Sequence, residues 1–241
     1  MRCIVTGGAG FLGSHLTEQL VAMGHSVAVI DDMFRGSQKN LEGCKGMDDY
    51  YLLMGDASNR DLYEKAADKL GGVDCVYHLA AINGTRWFHE RPDFVIQVNL
   101  DTLRTALDFA ITRGSRFVFT SSPEAFGEQP EMPLTNASDS LFSSASEHGR
   151  HSYGASKYLG EILVQHAVND SSLDGESCDH SMPTVQDYQG THMDKLQGFS
   201  LNNVDEVTRL QFMVMGHKLV HSLGLTRLLK ASESPVNWIR A

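Results

Sequence analysis

A glycine-rich turn near the start of the chain limits its fold more than any other feature of the sequence. Residues 6–13 read Thr-Gly-Gly-Ala-Gly-Phe-Leu-Gly, and they follow the apolar run Cys3 to Thr6. The turn therefore lies between a predicted strand and a predicted helix. Glycine lets the backbone approach a diphosphate, and the free N–H groups of a helix N-terminus attract its negative charge. This context is typical of a dinucleotide-binding unit, although the bare motif also occurs in turns that bind no ligand.

Strands and helices alternate along the first 170 residues. Apolar runs predict strands at 3–6, 26–30, 50–54, 73–78 and 116–120, and helical patterns lie near 11–23, 60–70, 93–113 and 152–168. Such alternation predicts a parallel sheet covered by helices on both faces. We therefore expect an α/β fold with a doubly wound parallel sheet, the Rossmann arrangement, over residues 1–170. The polar stretch 127–151 is typical of a long functional loop.

Composition argues against several classes of protein. The chain has 241 residues and a net charge of −10, which argues against a nucleic-acid surface. No apolar run approaches the ~20 residues that cross a bilayer, and the N-terminal apolar stretch is too short for a signal peptide. The four cysteines form no CxxC pair, which suits a reducing compartment better than a disulfide framework. We expect a cytoplasmic protein without a membrane or nucleic-acid partner.

An acidic pair, Asp31 and Asp32, ends the second predicted strand. It follows the glycine turn by about 20 residues, where a carboxylate hydrogen-bonds the ribose hydroxyls of a dinucleotide. The same negative charge repels the additional phosphate of NADP. No arginine directly follows the strand, although Arg35 lies nearby. We therefore predict NAD as the cofactor; for Asp32 alone, the alternative is a solvated loop acid.

Tyr153 and Lys157 form a YxxxK pattern on a predicted helix, which places both side chains on one face. A free tyrosine has a pKa of about 10. A nearby ammonium and the charge of a nicotinamide lower that pKa, which makes the phenol a usable base near neutrality. The pattern is common by chance. Here, however, it follows Ser121 and Ser122 at the end of the fifth predicted strand, where such a sheet builds its site.

Together these motifs resemble the extended short-chain dehydrogenase/reductase family, which comprises sugar-nucleotide epimerases and dehydratases. The resemblance covers residues 1–170 in order and spacing. The matching pieces are Thr6 to Gly13, Asp31, Gly55-Asp56, His78 to Ala81, Asn99, Ser121-Ser122, Phe126-Gly127, Tyr153 and Lys157. It implies NAD-dependent oxidation at C4 of a nucleotide-linked hexose through a 4-keto intermediate, and a homodimer. The GxxGxxG spacing and the long loop disfavour an ordinary short-chain alcohol dehydrogenase.

The resemblance also implies a role for each matching residue. Tyr153 resembles the acceptor of the sugar hydroxyl proton, Lys157 the residue that holds the nicotinamide ribose, and Ser122 the hydroxyl that binds the reacting oxygen. Asp56 resembles the adenine contact. The expected cofactor contacts are Gly7, Gly10, Phe11, Leu12, Gly13, Asp31, Asp32, Asp56, Ala57, Leu79, Ala80, Ala81, Asn99, Tyr153 and Lys157. For residues 78–81 alone, the alternative is a buried strand end.

Glu124 is a further candidate catalytic residue. It stands where the 4,6-dehydratases and decarboxylating members of the family carry a glutamate, whereas simple 4-epimerases more often have a neutral residue. A carboxylate there can remove the proton alpha to a 4-keto group, which elimination requires. Pro123 replaces the aspartate that precedes this glutamate in the dehydratases. Epimerisation, dehydration and decarboxylation therefore stay open, and the alternative for Glu124 is a loop acid without a catalytic role.

The resemblance ends near Asn169. The family continues with a sixth strand, an Arg-Pro-Phe-Asn-x-Tyr-Gly-Pro segment and a C-terminal substrate lobe, and residues 171–241 contain none of these. In the neighbouring codon frame, Cys178 to Lys195 permits RPFNAYGPRLPGNAYGQ, and both residues that the frame forces agree. We therefore hypothesise a frameshift near Asp174-Gly175 and expect residues 171–241 to be an atypical, poorly structured segment.

Two classes of function follow. The chain is either an active sugar-nucleotide epimerase/dehydratase or a non-catalytic or truncated dinucleotide-binding fragment of such an enzyme. Only the first predicts a closed substrate pocket. The histidines and the cysteine near the C-terminus have poor zinc spacing, so we expect no metal site. These residues are Cys178, His180, His192, His217 and His221.

Overall fold

The computed structural model describes residues 1–130, 134, 138–146 and 151–168, and the backbone of residues 147, 169–170, 212–213, 220–221 and 236–239. The strands are β1 (Arg2–Thr6), β2 (Ser26–Asp31), β3 (Tyr50–Met54), β4 (Cys75–His78), β5 (Arg116–Thr120), β6 (Phe212–Met213), β7 (Val220–His221) and β8 (Val236–Ile239). The helices are α1 (Phe11–Ala22), α2 (Arg60–Leu70), α3 (Thr85–Glu90), α4 (Pro92–Arg113) and α5 (His151–Asp170). Short 3-10 helices span Gln38–Cys44, Pro123–Phe126 and Ala145–Glu147.

The main sheet has the strand order β3-β2-β1-β4-β5-β8. Every neighbouring pair in it is parallel. The order reverses between β1 and β4, because the chain first builds outward through β2 and β3 and then returns to the other side of β1. A crevice therefore opens at the carboxyl ends of β1 and β4, where doubly wound sheets bind their ligands. The predicted fold class is confirmed.

The strand β8 differs from expectation, because the sequence predicts no strand after α5. Its residues pair with β5 from Phe117↔Val236 to Thr120↔Ile239. A parallel edge strand offers a row of unpaired backbone groups, and a short apolar run can complete their hydrogen bonds. Most of residues 171–241 lies outside the described part of the chain, so the predicted poor packing of that segment stays a prediction.

The core consists of two apolar layers, one on each face of the sheet. Tyr63, Phe109 and Phe117 belong to the layer beneath α2, α4 and α5, and each is fully buried. Leu16 and Val29 belong to the layer beneath α1. Strands that are covered on both faces must be apolar throughout, which is why β1 and β2 contain continuous rather than alternating apolar runs.

Local signals place the helices around this sheet. Asn59 caps α2, because its side-chain oxygen accepts a hydrogen bond from the Asp61 amide at 3.0 Å. Pro92 opens α4, where its missing N–H has no helical partner to lose. The six-residue helix α3 was not predicted, since it is too short to show a helical period. Among the described residues, no helix is long and apolar enough to cross a membrane.

Candidate active site

The glycine turn fits tightly between the ends of β1 and β4. Gly7 has a φ of +69°, and its amide donates a hydrogen bond to the Ile30 carbonyl at 2.9 Å. A Cβ at Gly7 would lie 2.7 Å from the Ala80 amide nitrogen. Both the conformation and the space therefore require glycine here.

The N-terminus of α1 has the properties of an anion site. Within this helix, no side chain caps Gly10 and the first turn has no acidic residue. The N–H groups of the first turn and the helix dipole together favour a negative group. Phe11 is 55% exposed beside them. Gly7, Gly10 and Gly13 thus leave room for a diphosphate at a terminus that would attract it.

Asp31 connects the glycine turn to the loop after β2. Its Oδ2 accepts a hydrogen bond from the Ala9 amide at 2.9 Å, and its Oδ1 accepts one from the Met33 amide at 2.8 Å. Burial raises the pKa of this carboxyl, and the two backbone donors oppose the rise. Each carboxylate oxygen keeps acceptor capacity for a ribose hydroxyl. Asp32 is exposed and accepts from the Phe34 amide instead.

The remaining predicted cofactor contacts differ in how accessible they are. Asp56 is exposed and accepts a hydrogen bond from the Ser58 amide. Ala57 is only 4% exposed and packs in the core, so its side chain faces the protein interior. The segment 79–81 is half-buried at the end of β4. A contact from Ala57 would therefore have to come from its backbone.

Asn99 of α4 links two parts of the site. Its Oδ1 accepts a hydrogen bond from the Ile82 amide at 2.7 Å, and its Nδ2 donates to Ser156 Oγ at 2.9 Å. The side chain is buried. Asn99 therefore joins the segment after β4 to α5, a structural role that the sequence did not indicate. The predicted contact with the cofactor stays a prediction.

Tyr153 lies where α5 meets the end of β5. Its ring stacks on Phe88 of α3, with the ring centroids 5.2 Å apart. Burial raises the pKa of Tyr153 to about 12; a hydrogen bond from Ser122 opposes this rise, and the nearby Glu124 carboxylate adds to it. The sequence predicts a lowered pKa, but in the protein by itself burial dominates. A further positive charge beside the phenol is needed before it can act as a base near neutrality.

Lys157 is almost completely buried, with 3% of its surface exposed. Its Nζ donates a hydrogen bond to the Thr120 carbonyl at 2.8 Å and lies 4.9 Å from the centroid of the Phe119 ring. Burial lowers the pKa of Lys157 to about 8, and the Glu161 carboxylate opposes this change. The ammonium is therefore charged at neutral pH, although its pKa of about 8 lies only slightly above that pH.

A close contact of backbones aligns α5 with the 3-10 helix Pro123–Phe126. A Cβ at Gly154 would collide with the Glu124 carbonyl oxygen. Glycine at this position lets α5 lie directly against the segment that carries Ser122 and Glu124. The side chains of Ser122, Glu124 and Tyr153 are thereby brought together. The importance of Gly154 was not predicted from the sequence, because a single glycine within a helix is not by itself a signal.

His78 forms a buried link below the glycine turn. Its Nδ1 and Thr6 Oγ1 are 2.9 Å apart, and Thr6 Oγ1 accepts a hydrogen bond from the Ala80 amide at 3.3 Å. Burial, and to a smaller extent the charge of Lys157, lower the pKa of His78 to about 3. The imidazole is therefore neutral throughout the physiological range and can hold Thr6 in place.

The burial of His78 predicts a specific loss of stability in acid. The unfolded chain binds a proton on this residue below pH about 6.5, whereas the native state binds it only near pH 3. Between these values the unfolded state holds more protons, so stability rises with pH. We expect His78 to account for about 2 kcal/mol of the loss between pH 7.5 and pH 5. Urea unfolding of the wild type and of His78→Gln at both pH values measures this difference, and equal losses in the two proteins would contradict it.

The comparison with known families agrees with this geometry. The sequence pattern of the NAD dependent epimerase/dehydratase family matches residues 3–176 of the chain. The chain belongs to the NAD dependent epimerase/dehydratase family. The match ends six residues after α5, so the Rossmann unit and the Tyr/Lys helix lie within it.

Relatives within this family carry out three different reactions. A UDP-N-acetyl-alpha-D-glucosaminuronate decarboxylase from Bacillus cytotoxicus is 33% identical over 162 residues, which are 67% of this chain and 48% of that protein. Among solved structures, UDP-glucose 4-epimerase from Thermus thermophilus in complex with NAD is 29% identical, with a TM-score of 0.60 over 71% of this chain and 52% of that one. The dTDP-glucose 4,6-dehydratase from Streptomyces venezuelae, with NAD bound, is 26% identical, with a TM-score of 0.63 over 72% and 53%. The chain thus spans about half the length of the relatives it matches.

The sequence predicts no metal site, and the described residues leave this expectation untested for the C-terminal candidates. Within the described part of the chain, no three His, Cys, Asp or Glu residues lie close enough together to hold a metal ion. The candidates from the sequence fall outside the residues whose side chains are described. They are Cys178, His180, His192, His217 and His221.

Proposed function

We propose that the protein is an NAD-dependent enzyme that acts on a sugar nucleotide and oxidises C4 of the hexose to a ketone. One observation carries this proposal: the structure gathers Ser122, Tyr153 and Lys157 at the same edge of the sheet as the glycine turn. Similarity to an epimerase, a dehydratase and a decarboxylase that act on sugar nucleotides supports the substrate class.

Ser122, Tyr153 and Lys157 can each take one part in removing a proton from the substrate. Tyr153 accepts the proton of the sugar hydroxyl, and Ser122 hydrogen-bonds the oxygen from which it departs. Lys157 supplies positive charge close to the Tyr153 ring, 5.9 Å from its centroid. Bound NAD would supply the hydride acceptor and the additional positive charge. Its diphosphate would lie at the N-terminus of α1, and Asp31 would hold a ribose.

The preference for NAD over NADP follows from Asp31 and Asp32. A buried carboxylate that is fixed by two backbone donors would not turn away from a ribose bound beside it. A phosphate on that ribose would meet its negative charge directly. We therefore propose that the protein binds NAD and discriminates against NADP.

Glu124 makes a second step after oxidation chemically reasonable. Its carboxylate lies close enough to Tyr153 to influence the pKa of the phenol. A base at this place suits abstraction of a proton alpha to the new 4-keto group. Elimination is thus a second candidate reaction beside epimerisation. Decarboxylation is a third, supported by the Bacillus relative.

A panel of substrates tests the proposed function. The full chain is mixed with NAD and with UDP-, GDP- and dTDP-hexoses or a UDP-hexuronate, and absorbance at 340 nm follows NADH. Product analysis then separates the reactions, since epimerisation keeps the mass of the sugar, elimination removes water and decarboxylation releases CO₂. We expect at least one sugar nucleotide to produce NADH or product.

The alternative function is that of a non-catalytic dinucleotide-binding fragment. This alternative is compatible with a family match that ends at residue 176. Calorimetric titration with NAD discriminates between the two. Binding of NAD without turnover of any sugar nucleotide would support the fragment and contradict the enzyme.

We also propose that two copies of the chain form a homodimer through α4 and α5. Leu159 and Ile162 on α5 are 43% and 48% exposed, which is unusual for two large apolar side chains on one helix face. Ile111 of α4 is exposed as well. A second copy that presents the same face would cover these side chains symmetrically.

The homodimer predicts a strong effect of charge on this face. Replacing both Leu159 and Ile162 by Glu places four carboxylates in the interface of the dimer. We expect the dissociation constant to rise at least about a hundredfold, because buried charges cost several kcal/mol. Light scattering during size-exclusion chromatography measures the mass, with Met47→Glu as a control at another exposed apolar residue. A monomeric wild type would contradict the proposal.

We propose that residues 171–241 are an atypical segment read out of frame after the Rossmann unit of residues 1–170. The end of the family match at residue 176 supports a change of frame near Asp174. Sequencing the gene around codons 170–185 tests the idea. A shifted frame that meets an early stop codon, or that does not encode the expected segment, would exclude it.

A cytoplasmic location is the remaining proposal. The described cysteines Cys3, Cys44 and Cys75 are free and buried, which suits a reducing compartment. Fractionation of cells with an antibody against the chain would test the location.

A further inference from the structure

A buried carboxylate lies one helical turn beyond the Tyr/Lys pair. Tyr153, Lys157 and Glu161 follow one another at intervals of four residues, which places all three on one face of α5. Glu161 is 7% exposed. Ionised side chains are rarely buried unless other groups compensate them, so this position requires a reason.

Consecutive residues at the end of β5 hold these side chains one by one. The Thr120 carbonyl accepts a hydrogen bond from Lys157 Nζ at 2.8 Å. Ser121 Oγ donates a hydrogen bond to Glu161 Oε1 at 2.5 Å. The next residue along the chain, Ser122, is the one that hydrogen-bonds Tyr153. The register between β5 and α5 is thus fixed by three polar contacts in a row.

We propose that Glu161 is a positioning residue of the active site, whose carboxylate fixes Ser121 and keeps the Lys157 ammonium charged and in place beside Tyr153. The hydrogen bonds of Glu161 and Lys157 are observed in the structure. Their effect on catalysis by Tyr153 rests on the proposed function. Loss of the charge would weaken the hydrogen bond from Ser121, the neighbour of Ser122, and would remove the negative charge that stabilises the buried ammonium of Lys157.

The groups that face Lys157 determine how it titrates. Tyr153 and Glu161 face it from α5, and His78 faces it from β4, where burial keeps the imidazole neutral. Glu124 acts on Tyr153 from the 3-10 helix after β5. Glu161 is the group that raises the pKa of Lys157 against the effect of burial. Removing its charge therefore lowers that pKa further.

The pH dependence of stability measures this effect without cofactor or substrate. Lys157 loses its proton at about pH 8 in the native state and at about pH 10.4 in the unfolded chain. Between these values the unfolded state holds more protons, so the free energy of unfolding rises with pH. We call the pH at which this rise begins, near pH 8, its lower edge. In Glu161→Gln, we expect this lower edge to move by about one pH unit toward acid.

The experiment compares urea midpoints between pH 6 and pH 9.5 for four forms of the full chain. Glu161→Asp retains the charge and is expected to keep the edge near that of the wild type, even where the shorter side chain lowers the midpoint. Glu42→Gln makes the same chemical change at an exposed position and is expected to leave the edge in place. If Glu161→Gln does not fold, the edge in Glu161→Asp decides, and an edge that moves despite the retained charge overturns the proposal.

A purely structural role for Glu161 gives a different result. In that case Glu161→Gln lowers the midpoint equally at every pH and leaves the edge unmoved, which overturns the proposal. Failure of the proposed function is recognised separately, as absence of NAD binding or turnover, because the unfolding measurements need neither.

Discussion

Tyr153→Phe is expected to reduce the turnover of any sugar nucleotide by about a thousandfold, the usual contribution of a well-placed general base. The substitution keeps the aromatic ring that stacks on Phe88 at 5.2 Å. It removes the hydroxyl that hydrogen-bonds Ser122 and that would accept the proton of the substrate. Turnover should therefore fall while the affinity for NAD, measured by calorimetry, changes little.

Tyr158→Phe is the matched control, since it removes a phenolic hydroxyl from the same helix. Tyr158 lies five residues after Tyr153, and its ring is near Phe142 rather than Phe88. We expect this variant to turn over substrate at nearly the wild-type rate. Activity that survives in Tyr153→Phe would show that another group takes the proton, and it would exclude the proposed chemistry even if NAD binds normally.

Gly7→Ala is expected to destabilise the protein by about 3 kcal/mol and to abolish NAD binding. Alanine with a positive φ costs about 1 kcal/mol, and a forced backbone shift adds about 1–3 kcal/mol. The φ of Gly7 is +69°, and the added Cβ would lie 2.7 Å from the backbone nitrogen of Ala80. The end of β4 cannot give way without moving the crevice in which the cofactor would bind.

Gly24→Ala separates the two contributions. Gly24 has a φ of +79°, and a Cβ there would meet nothing within 4 Å. Its substitution should cost only the conformational part, about 1 kcal/mol, and leave NAD binding unchanged. Urea unfolding and calorimetry measure both effects. Equal losses of stability in the two variants would contradict the packing argument for Gly7.

The predicted secondary structure agrees closely with the structure where the signal is local. The strand predicted at 26–30 is β2 (Ser26–Asp31), and the helix predicted at 60–70 is α2 (Arg60–Leu70). Continuous apolar runs and helical periods depend only on neighbouring residues, so one sequence is enough to find them. The helix α3 was not predicted, because its six residues are too few to show a helical period. The strand β8 was not predicted, because the polar Asn237 interrupts its short apolar run.

The candidate site was predicted in part. Tyr153, Lys157 and Ser122 belong to a recognisable spacing, and the structure brings them together. Gly154 and Glu161 escaped notice, since their importance comes from what they touch on β5 and on the segment after it. Contacts between residues that are far apart in the chain leave no periodic trace in a single sequence.

The sequence by itself determined the Rossmann sheet and the place of the glycine turn, because both depend on patterns over a few consecutive residues. Only the tertiary structure decided the ionisation of the site. Burial raises the pKa of Tyr153 to about 12 and lowers that of Lys157 to about 8, and Glu161 counteracts the second change. These shifts depend on the water and charge that surround each group, and folding alone sets that environment.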